Sequence, residues 1–321
     1  MFTRYLLEWL RAIRLKGELV ADLFRKLFGS KEDTKPRQAD AVTTAPLTDQ
    51  QIQSIISSQA PRYEIRQLVA SVGQSVGKQR DHNEDSLLAL TTTISGSPES
   101  IPFGLYIVAD GMGGHQFGEV ASNAAVRIVG GNIVNKFHSY LYKLPAQSLQ
   151  ESLQEVMESS IMEAHQYIQR EAPGSGTTVT AALVLGHQIT LGHVGDSRAY
   201  AIYPDGRLDS LTRDHSLVKR LEELGHLSKD EVDSFPHRNV LIRALGQGET
   251  LEADIFTIPF PQPGYLMICS DGLWGVVNEK DVVRIVNESP NLHRACQSMV
   301  EAANAAGGPD NITVILAQIV G

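Results

Sequence analysis

The stretch Leu105-Tyr106-Ile107-Val108-Ala109-Asp110-Gly111-Met112-Gly113-Gly114-His115 begins as one kind of structure and ends as another. Residues 105–109 form an uncharged apolar run, as in a buried strand. A carboxylate then stands at the strand's end, where burial is costly unless something cationic meets it. The glycines that follow let the backbone turn sharply and approach an ion closely. In that reading the Gly111 carbonyl joins the Asp110 carboxylate as a ligand. The same residues also suit a plain glycine-rich turn that caps the next helix.

The arrangement recurs along the chain. Asp271-Gly272 follows the apolar run Tyr265–Ser270, Asp310-Asn311 sits in the tight turn Gly307-Gly308-Pro309, and Glu84-Asp85 precedes another strand-like run. Each alone is a common turn. Brought together, such carboxylates repel one another unless divalent cations hold them, which points to a hard-metal site of oxygen ligands. Arg80 lies just before the Glu84-Asp85 pair. Its planar fork matches two oxygens of a phosphate, whereas a mere surface ion pair would be worth little.

The surrounding texture gives the fold class. Strand-like runs are Leu68–Val76, Leu87–Thr92, Leu105–Ala109, Thr178–Leu185, Gln188–His193, Arg198–Tyr203, Tyr265–Cys269 and Thr313–Val320. Helical patterns are Gly118–Val134, Ser148–Arg170, Leu217–Leu224, Lys280–Val286 and His293–Ala306. Strands far outnumber crossover helices, and Gly186-His187 and Pro204-Asp205-Gly206 read as hairpin turns. The sheets should therefore be mainly antiparallel, with helices covering them, in an α+β layered domain.

Before that domain the sequence changes character. Residues 1–28 read as an amphipathic helix with Phe2, Leu6, Trp9, Ile13, Val20, Leu23 and Leu27 on one stripe and a net positive charge. Three uses suit it: packing on the domain or self-association, peripheral membrane contact, or a partner-binding arm. Residues 29–63 are polar and proline-punctuated and read as a flexible linker. The globular domain is expected over 64–321.

Bulk composition narrows the class. With 321 residues, 42% hydrophobic and 20% charged, the chain can bury a sizeable core. Its net charge of −9 argues against a nucleic-acid-binding surface. Two cysteines, Cys269 and Cys296, outside any Cys/His cluster, argue against zinc or a disulfide framework and fit a cytoplasmic setting. No apolar run approaches the roughly 20 residues of a membrane span.

The ordered set Arg80…Asn83-Glu84-Asp85, Asp110 to His115, Gly176-Thr177-Thr178, Gly195-Asp196-Ser197-Arg198, Ser270-Asp271-Gly272 and Gly308-Pro309-Asp310-Asn311 resembles the metal-dependent PPM/PP2C protein phosphatases, in their bacterial form. The resemblance covers residues 66–321 and implies a four-layer α-β-β-α sandwich with two central, mainly antiparallel sheets. It implies hydrolysis of phosphoserine and phosphothreonine in proteins, by direct attack of a hydroxide bridging two Mg²⁺ or Mn²⁺ ions. Asp110 would bridge the ions, with Asp271 and Asp310 on the first ion and the Gly111 carbonyl and Glu84 on the second. Asp85 and Asn311 would stand behind these ligands, and Arg80 would clamp the phosphate. Residues 215–240, with His215 and Ser216 at their start, would form a flap beside the cleft. Asp196 and Ser197 read as structural.

The chain departs from the family pattern twice. Met112 stands where some members carry a histidine proposed as general acid, leaving His115 or water for that role. No aspartate stands shortly before Gly176-Thr177-Thr178, Glu171 being the nearest acid, which puts a third ion in doubt. The expected partners are a phosphorylated protein and, through residues 1–28, a membrane surface or partner helix. The catalytic domain is expected to be monomeric. It would oppose bacterial Ser/Thr kinases or reset a phosphorylated regulator. The competing reading is a catalytically silent phosphatase fold acting as a scaffold. Such a protein should lose its metal carboxylates, and Asp110, Asp271 and Asp310 are all present.

Overall fold

A computed structural model describes residues 66–321 except 96–99, 114–115, 143–149, 229–230, 232–234, 236 and 238. The helix expected over 1–28 and the linker over 29–63 lie outside the described residues, as does His115. Among the described residues no helix is long and apolar enough to cross a membrane.

Two sheets form the centre. The first has the order β1 (Gln67–Ser75), β11 (Ile312–Val320), β10 (Tyr265–Cys269), β7 (Arg198–Ile202) and β8 (Leu208–Ser210). The second has the order β2 (Asp85–Ser95), β3 (Ser100–Met112), β5 (Val179–Leu185), β6 (Gln188–Val194) and β9 (Asp254–Pro259), and β4 (Gly176–Thr177) pairs with the end of β3. Every pairing is antiparallel. Gly186, at a φ of 61°, makes the two-residue turn between β5 and β6.

Side-chain alternation along the strands builds the layers. On β3, Phe103, Leu105, Ile107 and Ala109 face α1 (Gln116–Tyr142) and α2 (Leu153–Glu171). Tyr106 and Val108, on the other parity, pack against Leu266 and Ile268 of β10 and Ile315 and Ala317 of β11. The opposite face of the first sheet carries Tyr200, Met267, Val314 and Leu316, buried under α5 (Glu279–Glu288) and α6 (Leu292–Ala305). The result is the expected four-layer α-β-β-α sandwich.

Several boundaries differ from the sequence reading, each for a local reason. α2 starts at Leu153 rather than near Ser148, because Ser152 and Glu155 form a capping box. α1 runs on to Tyr142, well past Val134. Two short helices were read differently or not at all: α3 (Leu217–Glu223) ends one residue early, and α4 (Asp271–Trp274) is a single turn that periodicity does not register. β4, β8 and β9 were also unread, being two or three residues long or, for β9, only half-buried.

Candidate functional site

Strand parity delivers the acids to one place. Asp110 follows Tyr106 and Val108 on the inter-sheet side of β3, and Asp85 of β2 is its direct cross-strand partner. Ser270 continues the inter-sheet parity of Leu266 and Ile268, and Thr313 that of Ile315 and Ala317. Both hydroxyls reach across from the first sheet and donate to Asp85 Oδ2, at 2.7 Å and 2.6 Å. Asp85 therefore ties the sheets together at the open end of the layer between them. Asp271, the first residue of α4, and Asp310, just before β11, come to the same end from the first sheet.

A cleft of about 550 Å³ opens here, lined by Arg80, Glu84, Asp110, Gly111, Asp271 and Asp310 among others. The Gly-Thr-Thr segment fixes its central strand. Thr178 donates its N–H to the Asp110 carbonyl and receives the Asp110 N–H on its hydroxyl, while the Thr177 hydroxyl also donates to that carbonyl. Gly111 presses against α1: a Cβ there would meet the Gly118 carbonyl oxygen at 2.2 Å. Glu84 lies beside the same helix turn, its carboxylate close to Gly118. Asn311 holds the Glu84 loop, accepting the Glu84 N–H at 2.7 Å and donating to the Val76 and His82 carbonyls at 2.8 Å each.

The electrostatics are those of crowded acids. Burial pushes Asp85 up to about 7, and the nearby charges of Asp271 and Asp310 add to this while the two hydroxyls oppose it. Burial, then Asp310, pushes Asp271 up to about 6, although its carboxyl lies within hydrogen-bond reach of Asp110. Asp110 is raised well above the usual carboxylate range by burial and by Asp85 and Asp271. Oδ1 of Asp85 and Oδ1 of Asp271 are buried and receive no hydrogen bond. Buried carboxylate oxygens without donors are costly unless a cation meets them.

The donor set suits hard divalent ions: the cleft offers carboxylates and a glycine carbonyl, with no thiolate. Among the described residues, no three acid, His or Cys side chains already close around one point as a cage. Asp310 Oδ2 accepts a hydrogen bond from Arg80 at 2.7 Å. The sequence assigned these two residues separate partners, whereas the structure joins them. Asp310, and to a lesser extent Glu84 and Asp110, raises the Arg80 guanidinium further.

His215 is buried: its Nδ1 accepts the Gly195 N–H, and its Nε2 lies 3.2 Å from Asp254. Burial lowers its pKa. Ser216 caps α3, with its hydroxyl accepting the Lys219 N–H. Glu171, the acid nearest the Gly-Thr-Thr run, is exposed and pairs with Arg170. Asp196, read as structural, instead lines the cleft, and burial and Asp271 raise it well above the usual range. His82 also borders the cleft. Its place two residues after Arg80 was the one signal available for it in the sequence.

Comparison with known proteins agrees with this layout. The protein phosphatase 2C family profile matches residues 72–306. The serine/threonine phosphatase stp of Listeria innocua is 36% identical over 244 residues, covering 75% of this chain and 92% of that protein. Protein phosphatase PhpP of Streptococcus pneumoniae is 31% identical over 242 residues, covering 75% and 93%. Among solved structures, the Mycobacterium tuberculosis serine/threonine phosphatase PstP/Ppp superposes with a TM-score of 0.63 at 28% identity, covering 78% of this chain and 98% of that one. The PstP catalytic domain in complex with two manganese ions gives 0.63 at 27%, covering 80% and 100%. The chain belongs to the protein phosphatase 2C family and is a metal-dependent protein phosphatase.

Proposed function

We propose that this chain removes phosphate from phosphoserine and phosphothreonine in proteins, opposing Ser/Thr kinases or resetting a phosphorylated regulator. The observation that carries the reading is the group of buried, mutually repelling acids at the end of the inter-sheet layer, two of them with undonated oxygens. Asp110, Asp271, Asp310, Glu84 and the Gly111 carbonyl would hold two ions, Mg²⁺ or Mn²⁺. When bound, such a pair supplies a water acidic enough to lose a proton near neutrality and positive charge for the phosphoryl oxygens. Asp196, which lines the cleft near Asp271, would be the acid available to a third ion.

The chain's own side chains do the positioning. Arg80 uses one amino group on Asp310, and its remaining donors are free in number to fork onto a phosphate. Asp85, fixed by Ser270 and Thr313 through Oδ2, keeps Oδ1 buried and without a hydrogen-bond donor behind the cleft. The leaving serine or threonine oxygen needs a proton, for which His115, His82 and water are the available donors.

Hydrolysis of a phosphothreonine peptide with Mn²⁺ tests the reading. Asp110→Asn is expected to lower kcat by about 10³-fold or more, since it removes a ligand common to both ions. Undiminished turnover in that variant would contradict the proposed site, and metal binding without turnover in the parent protein would favour the scaffold role.

The stripe and positive charge of residues 1–28 support docking of a cytoplasmic enzyme on a membrane surface. The full chain should then sediment with anionic liposomes, and a shortened chain beginning at Glu64 should not. Equal sedimentation would remove the membrane role.

A further inference from the structure

A second groove, of about 1160 Å³, leads away from the metal cleft. Its head is shared with the cleft through Arg80, Asp271 and Asp310. Beneath it lies the outer face of the first sheet, where Cys269, Met267 and Tyr200 are buried and Ser210 of β8, in the same row as Tyr200 and Met267, is exposed. Trp274 and Val276 form one wall, and Val218 and Lys219 of α3 form the other.

The chemistry of these walls is selective. Arg198 binds both oxygens of Asp214, at 2.9 Å and 2.7 Å, and lies 3.6 Å from the centroid of the Trp274 ring. Lys219 pairs with Glu222 at 2.8 Å, and Arg213 pairs with Glu223. Among the described residues, each cation along the groove beyond Arg80 is thus already matched by an acid. The half-buried side chains of Leu208, Trp274 and Val276 provide apolar surface instead.

We infer that this groove receives the polypeptide beside the phosphorylated residue and selects an uncharged apolar or aromatic side chain there. The inference rests on the phosphatase reading and adds a substrate preference to it. Continuity with the cleft makes the occupant the substrate's own chain, because anything leaving the phosphate position in this direction must enter the groove. One methylene more or less in an apolar pocket discriminates by about 10–200-fold.

The test uses the full-length protein with Mn²⁺ and two kinds of substrate. p-Nitrophenyl phosphate occupies only the phosphate end, whereas phosphothreonine peptides carrying Leu, Phe, Lys or Glu at each flanking position also enter the groove. Ser210 is exposed on β8, so Ser210→Trp fills the groove from its edge, and Ser210→Ala removes the hydroxyl without filling it. The expected result is a preference of about tenfold or more for Leu or Phe at one flank. Ser210→Trp should lower the ratio of peptide to p-nitrophenyl phosphate kcat/KM by about tenfold, with Ser210→Ala keeping the parent ratio. Indifference to the flanks, or equal losses on both substrates in Ser210→Trp, would overturn the inference. Failure of the parent protein to hydrolyse even p-nitrophenyl phosphate would remove the phosphatase reading and this inference with it.

Discussion

Arg80 pairs with one neighbour and would serve a second. Its hydrogen bond to Asp310 holds a carboxylate that the proposed chemistry needs in place, and the planar fork leaves further donors for a phosphate. A lysine there would keep the charge and lose the fork. Arg80→Lys is therefore expected to raise KM for a phosphopeptide and lower kcat/KM by about 10–100-fold, while Mn²⁺ affinity changes far less. Steady-state kinetics with parallel calorimetric metal titration separates the two. If metal affinity fell as far as kcat/KM, Arg80 would be acting mainly through Asp310. The pairing with Asp310 was not legible in the sequence, because 230 positions separate the two residues and only the fold joins them.

At the scale of elements, the strand at residues 105–109 was legible because its apolar run is unbroken and a charge marks its end. The chemical motifs were legible because strand ends are where polar residues with special spacing stand out. Parity explains the rest: the alternation that puts Tyr106 and Val108 between the sheets also points Asp110 there. What was hidden was short or depended on distant partners. α4 is one turn, β8 is three residues, and the burial of His215 depends on Asp254 and Gly195. Asp196 looked like a turn residue until Asp271 was brought beside it. Thr178 is the clearest case of an element fixed by a side chain, since its hydroxyl receives the Asp110 N–H at 2.9 Å. Thr178→Val keeps the shape and leaves that N–H without its acceptor, which should cost about 1–3 kcal/mol. Thermal or denaturant unfolding checks the figure, and a neutral result would mean that β3 does not depend on this bond.

Across the whole molecule, the two sheets meet at the cleft through groups that repel. Asp85 and Asp110 come from one sheet and Asp271 and Asp310 from the other, so closing the sandwich brings like charges together. The folded values for Asp271, about 6, and Asp85, about 7, lie above the unfolded carboxylate value of about 3.9. For groups raised on folding, the stability they contribute is present below the unfolded value and is lost as pH rises through the folded one. In chelator, the protein's Tm should therefore fall from pH 5 to pH 7.5. Bound divalent ions reverse that trend, because they favour the ionised acids and stabilise the folded state that assembles them. The rise in Tm on adding Mn²⁺ is accordingly expected to be larger at pH 7.5 than at pH 5. Other groups titrate across the same range, so the decisive comparison is with Asp271→Asn. That variant removes one raised acid and one candidate ligand together, and should show both a flatter chelated profile and a smaller Mn²⁺ response. A parent protein whose Mn²⁺ response is the same at both pH values, and is matched by Asp271→Asn, would mean that these acids do not act as one ion-binding group.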